Sequence, residues 1–459
     1  KGFCKMSGIV GFFNFKEKIM NSQEILMNMN NKLMHRGSDK DGYYIGDNIA
    51  LGFRTILCGD NQPISFNFEG NTYVIVYDGN IYNLKELKLE LEQYDFCFST
   101  NSDAEVILKG YIHFRESFVN KLNGVFAFAI FDKNQNSLFI ARDHFGIKPF
   151  YYTIINNTFV FASEIKALFQ FPNVNPKMDS MGICELIGIG PAHTPGVTVF
   201  KDIYEIKPAH YGIYNDGGFH SKSYWKLISK PHTDSLGKTC ETIKYLLEDS
   251  IKKQLVSDLP VCSFLSGGLD SSIISLYAAN YYKVNDLKPL DTYSVDYVDN
   301  DKNFVKSDFQ PNSDNYYIEL MSKRLYSEHH NIVLDTPELA DALEAAMIAR
   351  DVPGMADIDS SLLLFCKNVK PEASIALTGE CADEIFAGYP WFFREDALSS
   401  NTFPWSIAIQ ERQTLLNNQI SEKVDLKAYI DYRYNESLNE VSLIGSDSKE
   451  TLEKKKISH

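Results

Sequence analysis

The first half of the chain sets short apolar runs against polar breaks. Tyr73–Tyr77 is apolar and β-branched, and Asp78-Gly79 behind it predicts a tight turn. Gly124–Phe131 and Ser137–Ala141 predict two strands joined by the polar turn Asp132–Asn136. Phe159–Ala162 predicts another strand, leading into a helix near Ser163. Antiparallel sheets with a few helices follow from this pattern.

The second half alternates differently. Val261–Leu265, Asp291–Val295, His329–Leu334 and Ser374–Leu377 predict strands. Ser271–Tyr282, Tyr316–Leu325, Pro337–Ala349 and a stretch from near Ala382 predict the helices between and after them. Such alternation predicts a parallel sheet covered on both faces. The polar stretch Lys226–Gly237 marks the boundary between the halves. At about 150 residues per domain, a chain of 459 residues is expected to hold two or three.

Composition narrows the function. A net charge of −15 argues against a nucleic-acid partner, which needs a basic face. ATP stays open, because a nest of backbone N–H groups holds phosphate on an acidic protein. The eight cysteines show no CxxC pair, so neither a zinc site nor a disulfide framework is expected. That usage fits a reducing, cytoplasmic setting. No apolar run approaches the ~18 residues of a membrane span, so no membrane partner is expected. The tail from about Ser446 is charged and expected to fray.

Ser266-Gly267-Gly268-Leu269-Asp270-Ser271-Ser272 follows one predicted strand and opens a helix. Two glycines allow close approach of backbone to ligand, and the helix start supplies N–H groups and positive potential for phosphate. Asp270 stands where a Mg²⁺ on the phosphates is held. The loop is not of the GxxxxGK[ST] type. A bare Gly-Gly turn with a serine cap is the simpler reading, and the full pattern after a strand outweighs it. A second cluster, Thr378-Gly379-Glu380-Cys381-Ala382-Asp383-Glu384, follows the last predicted strand. Alone it is an acidic helix start, which the helix dipole favours anyway. Paired with the first loop, at strand ends of one sheet, it supplies a base in Glu380 and a second metal ligand in Asp383. Arg350–Asp357 surrounds a Pro-Gly turn, and reads as a substrate wall or a surface turn.

These residues resemble the glutamine-hydrolysing asparagine synthetase family over nearly the whole chain. In the first half the resemblance rests on His35-Arg36-Gly37, Gly79-Asn80-Ile81-Tyr82-Asn83, Ser102-Asp103, Leu122–Phe128, Ala141-Arg142-Asp143, Gly146-Ile147-Lys148-Pro149 and Ala162–Ala167. In the second half it rests on the 266–272 loop, Thr378–Tyr389 and Pro390-Trp391-Phe392. The resemblance implies an α/β and α+β protein. An N-terminal Ntn-type α-β-β-α sandwich, residues 7–225, would be the glutamine amidotransferase. A doubly wound parallel-sheet domain of the ATP-pyrophosphatase type, residues 237–445, would be the synthetase. That synthetase domain is expected to be C-terminally incomplete, since the family's pyrophosphate-clamping Arg and Lys segment finds no match.

The implied reaction converts aspartate to asparagine with ATP and Mg²⁺, through a β-aspartyl adenylate that ammonia from glutamine attacks. Implied partners are aspartate, glutamine or ammonia, and ATP, with a homodimer as the assembly. On matching positions, Ser266, Gly267, Gly268, Asp270, Ser271, Ser272, Val295, Thr378 and Gly379 would bind ATP. Asp270 and Asp383 would hold the metal, and Glu380 would take the proton from ammonia. Arg54, Asp78, Gly79, Asn80 and Asp103 would bind glutamine, with Gly79 donating to the oxyanion and Asp103 taking the amino group.

Several positions depart from the family. Its nucleophile is an N-terminal cysteine whose own amine, of pKa about 7.7–8.0, serves as base. Here Met6 is followed by Ser7, a weaker nucleophile that needs a free amine at residue 7. Asp78 stands where asparagine is expected, and a carboxylate repels an oxyanion. Asn80 replaces glutamate, Ser38 replaces proline, and Thr55 takes the place of the glutamine-holding arginine, beside Arg54. These changes predict weak or absent glutaminase activity. Two other readings follow: a β-lactam synthetase-like ligase that activates another carboxylate, and a truncated, non-catalytic pseudoenzyme.

Overall fold

The computed structural model describes residues 7–56, 61–190, 192–228, 230–257, 259–306 and 313–440. The charged tail from Ser446 and the Met6 position lie outside them. The chain divides into two compact units. One is residues 3–186 with 192–227, and the other is residues 187–191 with 228–459.

The N-terminal unit carries twelve strands among the described residues. They are β1 (Ser7–Asn14), β2 (Lys40–Ile45), β3 (Ile49–Thr55), β4 (Ile64–Phe68), β5 (Asn71–Ile81) and β6 (Gly124–Asp132). Then come β7 (Ser137–Arg142), β8 (Tyr151–Ile155), β9 (Thr158–Ala162), β10 (Tyr204–Glu205), β11 (His210–Asn215) and β12 (Gly218–Ser223). They form two antiparallel sheets of six, ordered β10-β8-β9-β1-β3-β2 and β12-β11-β7-β6-β5-β4.

Side-chain alternation along each strand decides the layers. Ile9 and Phe13 of β1, Leu51 and Phe53 of β3, and Val74 and Val76 of β5 share one buried cluster, the core between the sheets. The alternate residues Val10, Phe12 and Ala50 pack outward on helices Ser22–Asn31 and Ile165–Leu168. Tyr73, Ile75 and Tyr77 pack outward on helices Leu84–Glu92 and Asp103–Phe114. The result is the expected α-β-β-α sandwich.

The turn expected at Asp78-Gly79 is not there. β5 runs straight through both residues, with Asp78 paired to Ala127 and Gly79 to Phe126 on β6. The local turn preference of an Asp-Gly pair gives way to an eleven-residue strand whose both faces are buried. Glycine is needed at 79 for a different reason. A β-carbon there would lie 2.2 Å from the Val125 carbonyl oxygen.

In the second unit β13 (Val261–Phe264), β14 (Leu290–Tyr297), β15 (Ser327–Leu334) and β16 (Ile375–Leu377) pair in parallel in the order β15-β14-β13-β16. Helices Leu236–Leu255 and Leu269–Val284 cover one face through Ile251, Leu255, Ala278 and Ala279. Helix Ala356–Val369 covers the other through Phe365 and Val369. This is the doubly wound arrangement. The single helix expected over Pro337–Ala349 is two, Thr336–Asp341 and Leu343–Arg350, the first started by a capping box at Asp335. The helix expected near Ala382 is Ala382–Phe386, and the helices beyond it, as far as Leu426–Glu440, lie where the pattern predicts no element. Among the described residues no helix is long and apolar enough to cross a membrane.

Candidate functional site

Strand parity brings Ser7 and Asp78 face to face. Ser7 shares the inward side of β1 with Ile9 and Phe13, and Asp78 shares the inward side of β5 with Val74 and Val76. The Ser7 hydroxyl donates to Asp78 Oδ1 at 3.0 Å, and both residues are buried. Two cations close on the same carboxylate. Lys148 Nζ lies 3.0 Å from Asp78 Oδ1, and Arg36 donates to Oδ2 at 3.1 Å.

Arg36 also donates to the Ser7 carbonyl at 2.8 Å and pairs with Glu164 at 3.2 Å. Burial works against its charge, but Asp78 and Glu164 outweigh that and hold the guanidinium more firmly protonated. Burial pushes the Glu164 carboxyl up, yet hydrogen bonds from His35 and Lys166 prevail and bring it to about 2. The carboxylate at 78 is therefore compensated rather than bare.

The other glutamine-binding candidates scatter. Arg54 alternates with the inward Phe53, and its guanidinium donates to the Asn30 carbonyl and the Asn31 side chain, each at 2.7 Å. It faces away from Ser7, so its expected place in the pocket is corrected. Thr55 is the residue paired with Ser7 on β3. Asp103 is fully buried at the start of its helix, where Oδ2 accepts from the Tyr77 hydroxyl at 2.9 Å and from the Ile81 N–H at 3.0 Å. Tyr77 reaches back, its hydroxyl 2.9 Å from where a Gly79 side chain would begin. Asn80 lies half-buried near the end of β5, paired with Val125. Arg36, which bonds Ser7 and Asp78, Lys148, which meets Asp78, and Glu164, which meets Arg36, belong to the quoted motifs but had no role predicted. Only the packing of the sheet that holds β1 on the sheet that holds β5 shows that they converge.

The second site lies where the parallel strand order reverses. β14 and β15 lie on one side of β13 and β16 on the other, so the loops leaving β13 and β16 meet at a topological switch point. The two loops touch. A β-carbon on Gly379 would lie 3.0 Å from Asp270 Cβ and 3.0 Å from the Ser271 nitrogen. Ser266, Gly267 and Gly268 lead into helix Leu269–Val284, with Gly268 as its cap. The Ser271 hydroxyl is turned into this loop, taking the Ser266 N–H at 3.2 Å and meeting Ser266 Oγ at 2.9 Å. It shapes the loop from inside, while Ser266 remains exposed and Ser272 half-buried at its rim.

Asp383 lies close enough to Asp270 to feel it. Its carboxyl is raised first by burial, then by Asp270 and Glu384. Glu380 is exposed, and its N–H donates to the Thr378 hydroxyl at 3.3 Å. Between them Cys381 sits in the left-handed region at φ 69°. Val295 lies toward the end of β14, packed with Phe264 and Ile332 on the face under helix Ala356–Val369. In the expected substrate wall, Arg350 pairs with Asp359 at 2.5 Å and Asp351 makes a left-handed turn.

Comparison with known proteins agrees with both halves. The family described as glutamine amidotransferase domain matches residues 6–225, and the family described as asparagine synthase matches residues 242–458. Asparagine synthetase [glutamine-hydrolyzing] 3 of Bacillus subtilis is 42% identical over 96% of this chain and 72% of its own length. Asparagine synthetase [glutamine-hydrolyzing] 1 of the same organism is 34% identical over 84% of this chain and 59% of its own length. Asparagine synthetase B of Escherichia coli is 28% identical over 85% of this chain and 66% of its own length. With both halves matched in order, and at 42% identity over nearly the whole sequence, the chain belongs to the glutamine-hydrolysing asparagine synthetase family.

Proposed function

We propose that residues 237–445 form a synthetase unit that activates aspartate with ATP, and that residues 7–225 form an amidotransferase unit with an impaired nucleophile. The observation that carries the synthetase reading is the contact of Gly379 with Asp270 and Ser271. The closeness of the phosphate loop and the acidic loop at the switch point supports a shared nucleotide site there.

In that pocket the backbone from Ser266 to Gly268 and the start of helix Leu269–Val284 hold the phosphates. An aspartate side-chain oxygen attacks the α-phosphorus, and pyrophosphate leaves. Ammonia then attacks the activated carbonyl carbon, AMP leaves, and Glu380 takes the proton released from nitrogen. The donor set fits Mg²⁺. Asp270 and Asp383 are two oxygen ligands whose mutual repulsion a hard divalent cation relieves. When bound, the ion neutralises phosphate charge as the leaving group departs. The scattered cysteines support a cytoplasmic setting, with a homodimer as the expected assembly and no nucleic-acid partner at a net charge of −15.

In the amidotransferase unit Ser7 in place of cysteine and Thr55 in place of arginine support weak glutamine use. Ammonia is then the effective nitrogen donor. Pyrophosphate release measured with aspartate, ATP and ammonia tests the reading. Release that requires aspartate supports it, and release driven equally by unrelated carboxylates, or none at all, overturns it.

A further inference from the structure

The buried carboxylate opposite Ser7 has a meaning beyond a lost glutaminase. A neutral amide at position 78 would need no counter-charge. A carboxylate buried there costs several kcal/mol unless it is paired and hydrogen-bonded. Asp78 is fully buried and is met on both oxygens, by Lys148 and Ser7 on Oδ1 and by Arg36 on Oδ2. Both carboxylate oxygens are therefore occupied, and the Ser7 hydroxyl is held as a donor to one of them. A carboxylate oxygen, able only to accept, lies 3.0 Å from the Ser7 hydroxyl and offers no donor to the oxyanion of a substrate carbonyl attacked there. Arg36 completes the enclosure by binding the Ser7 carbonyl.

We infer that Asp78, Lys148 and Arg36 form a charge latch over Ser7. Lys148 and Arg36 are positioning residues that hold the Asp78 side chain against Ser7, and this side chain, which offers no hydrogen-bond donor, silences the pocket together with the serine. The inference rests on reading this unit as an amidotransferase with an impaired nucleophile. It adds that two changes made together, S7C and D78N, release glutamine hydrolysis, whereas neither does so alone. With cysteine at 7, the thiol adds to the glutamine amide carbon and its proton passes to the free amine of residue 7. The C–N bond breaks, and ammonia leaves with that proton. Water then hydrolyses the thioester to glutamate. With an amide at 78, a hydrogen-bond donor replaces a group that can only accept.

The test uses the full chain, prepared with residue 7 as its first residue, and reads kcat for glutamate release at saturating glutamine. Saturation keeps weak binding at Thr55 from masking the result. The expected outcome is a rise of about 100-fold or more for S7C/D78N over both the parent and S7C. If S7C alone equals the double variant, or if the folded double variant stays at the parent level, the latch is overturned. A second measurement reads the latch without catalysis. K148M should lower the melting temperature by several degrees in the parent and clearly less in the D78N background. Equal shifts in both backgrounds would show that Lys148 does not serve Asp78. Ammonia-driven pyrophosphate release in the same samples reports the synthetase unit separately, so its failure is distinguishable from failure of the latch.

Discussion

The two candidate sites treat their carboxylates in opposite ways. Around Ser7, Asp78 is fully buried and faces two cations, so its charge is already answered by the protein. At the switch point, the Asp383 carboxyl is raised first by burial and then by the like charges of Asp270 and Glu384. The first arrangement stabilises the fold as it stands. The second would be completed by a cation from outside. Charge pairing thus separates an arrangement whose carboxylate is already paired from one whose carboxylates face each other.

The largest effect should come from removing half of the open site. D270N or D383N is expected to lower aspartate-dependent pyrophosphate release by about 10³-fold, since one metal ligand supports several kcal/mol of charge neutralisation. Thermal melting should barely change. A large loss of stability with little loss of rate would reverse the contrast between the sites.

Next in size is Asp78. Breaking a buried pair leaves its partners charged and unmatched, so D78A is expected to destabilise the chain by about 3 kcal/mol in urea titration. A change near zero would mean that Lys148 and Arg36 reach water instead.

A smaller effect concerns pH. Glu164 has its pKa lowered in the folded state to about 2, against about 4.3 for an unperturbed glutamate. The unfolded chain therefore binds the proton more readily, and the contribution of Glu164 is present above the unfolded value. It falls away as pH drops from about 4.3 toward about 2. E164Q should flatten the acid limb of the stability curve in that window and leave neutral pH rates of pyrophosphate release alone.

The smallest effect is expected at Cys381, whose left-handed backbone an L-residue adopts at a cost of about 1–2 kcal/mol. C381G should raise stability by no more than about 1 kcal/mol, because glycine also loses more entropy on folding. A destabilising result would mean that the thiol packs usefully against Glu380 and Glu384.

Much of the synthetase unit was legible in advance. Val261–Phe264 and Ile375–Leu377 form where short apolar runs predict strands, as parallel strands covered on both faces require, while Leu290–Tyr297 and the edge strand Ser327–Leu334 extend the expected strands through polar residues. The loops at 266 and 378 were readable for the same reason, as polar and glycine residues at strand ends. The amidotransferase unit was less transparent. Asp78-Gly79 carries a strong local turn signal, yet it sits mid-strand because pairing with β6 satisfies the backbone along all of β5. Arg54 is next to the expected position in sequence, but strand alternation sends it to the opposite face.

By itself the sequence determined the family motifs, the alternation that builds each sheet, and the identity of the residues at 7, 78, 270, 380 and 383. The tertiary structure alone decided which of these meet. Lys148 and Arg36 are 70 and 42 positions from Asp78 in sequence, and only the packing of one sheet on another brings their charges within 3.0 and 3.1 Å of it. Electrostatic pairing depends on distance through space and on exclusion of water, and neither quantity is written in the order of residues.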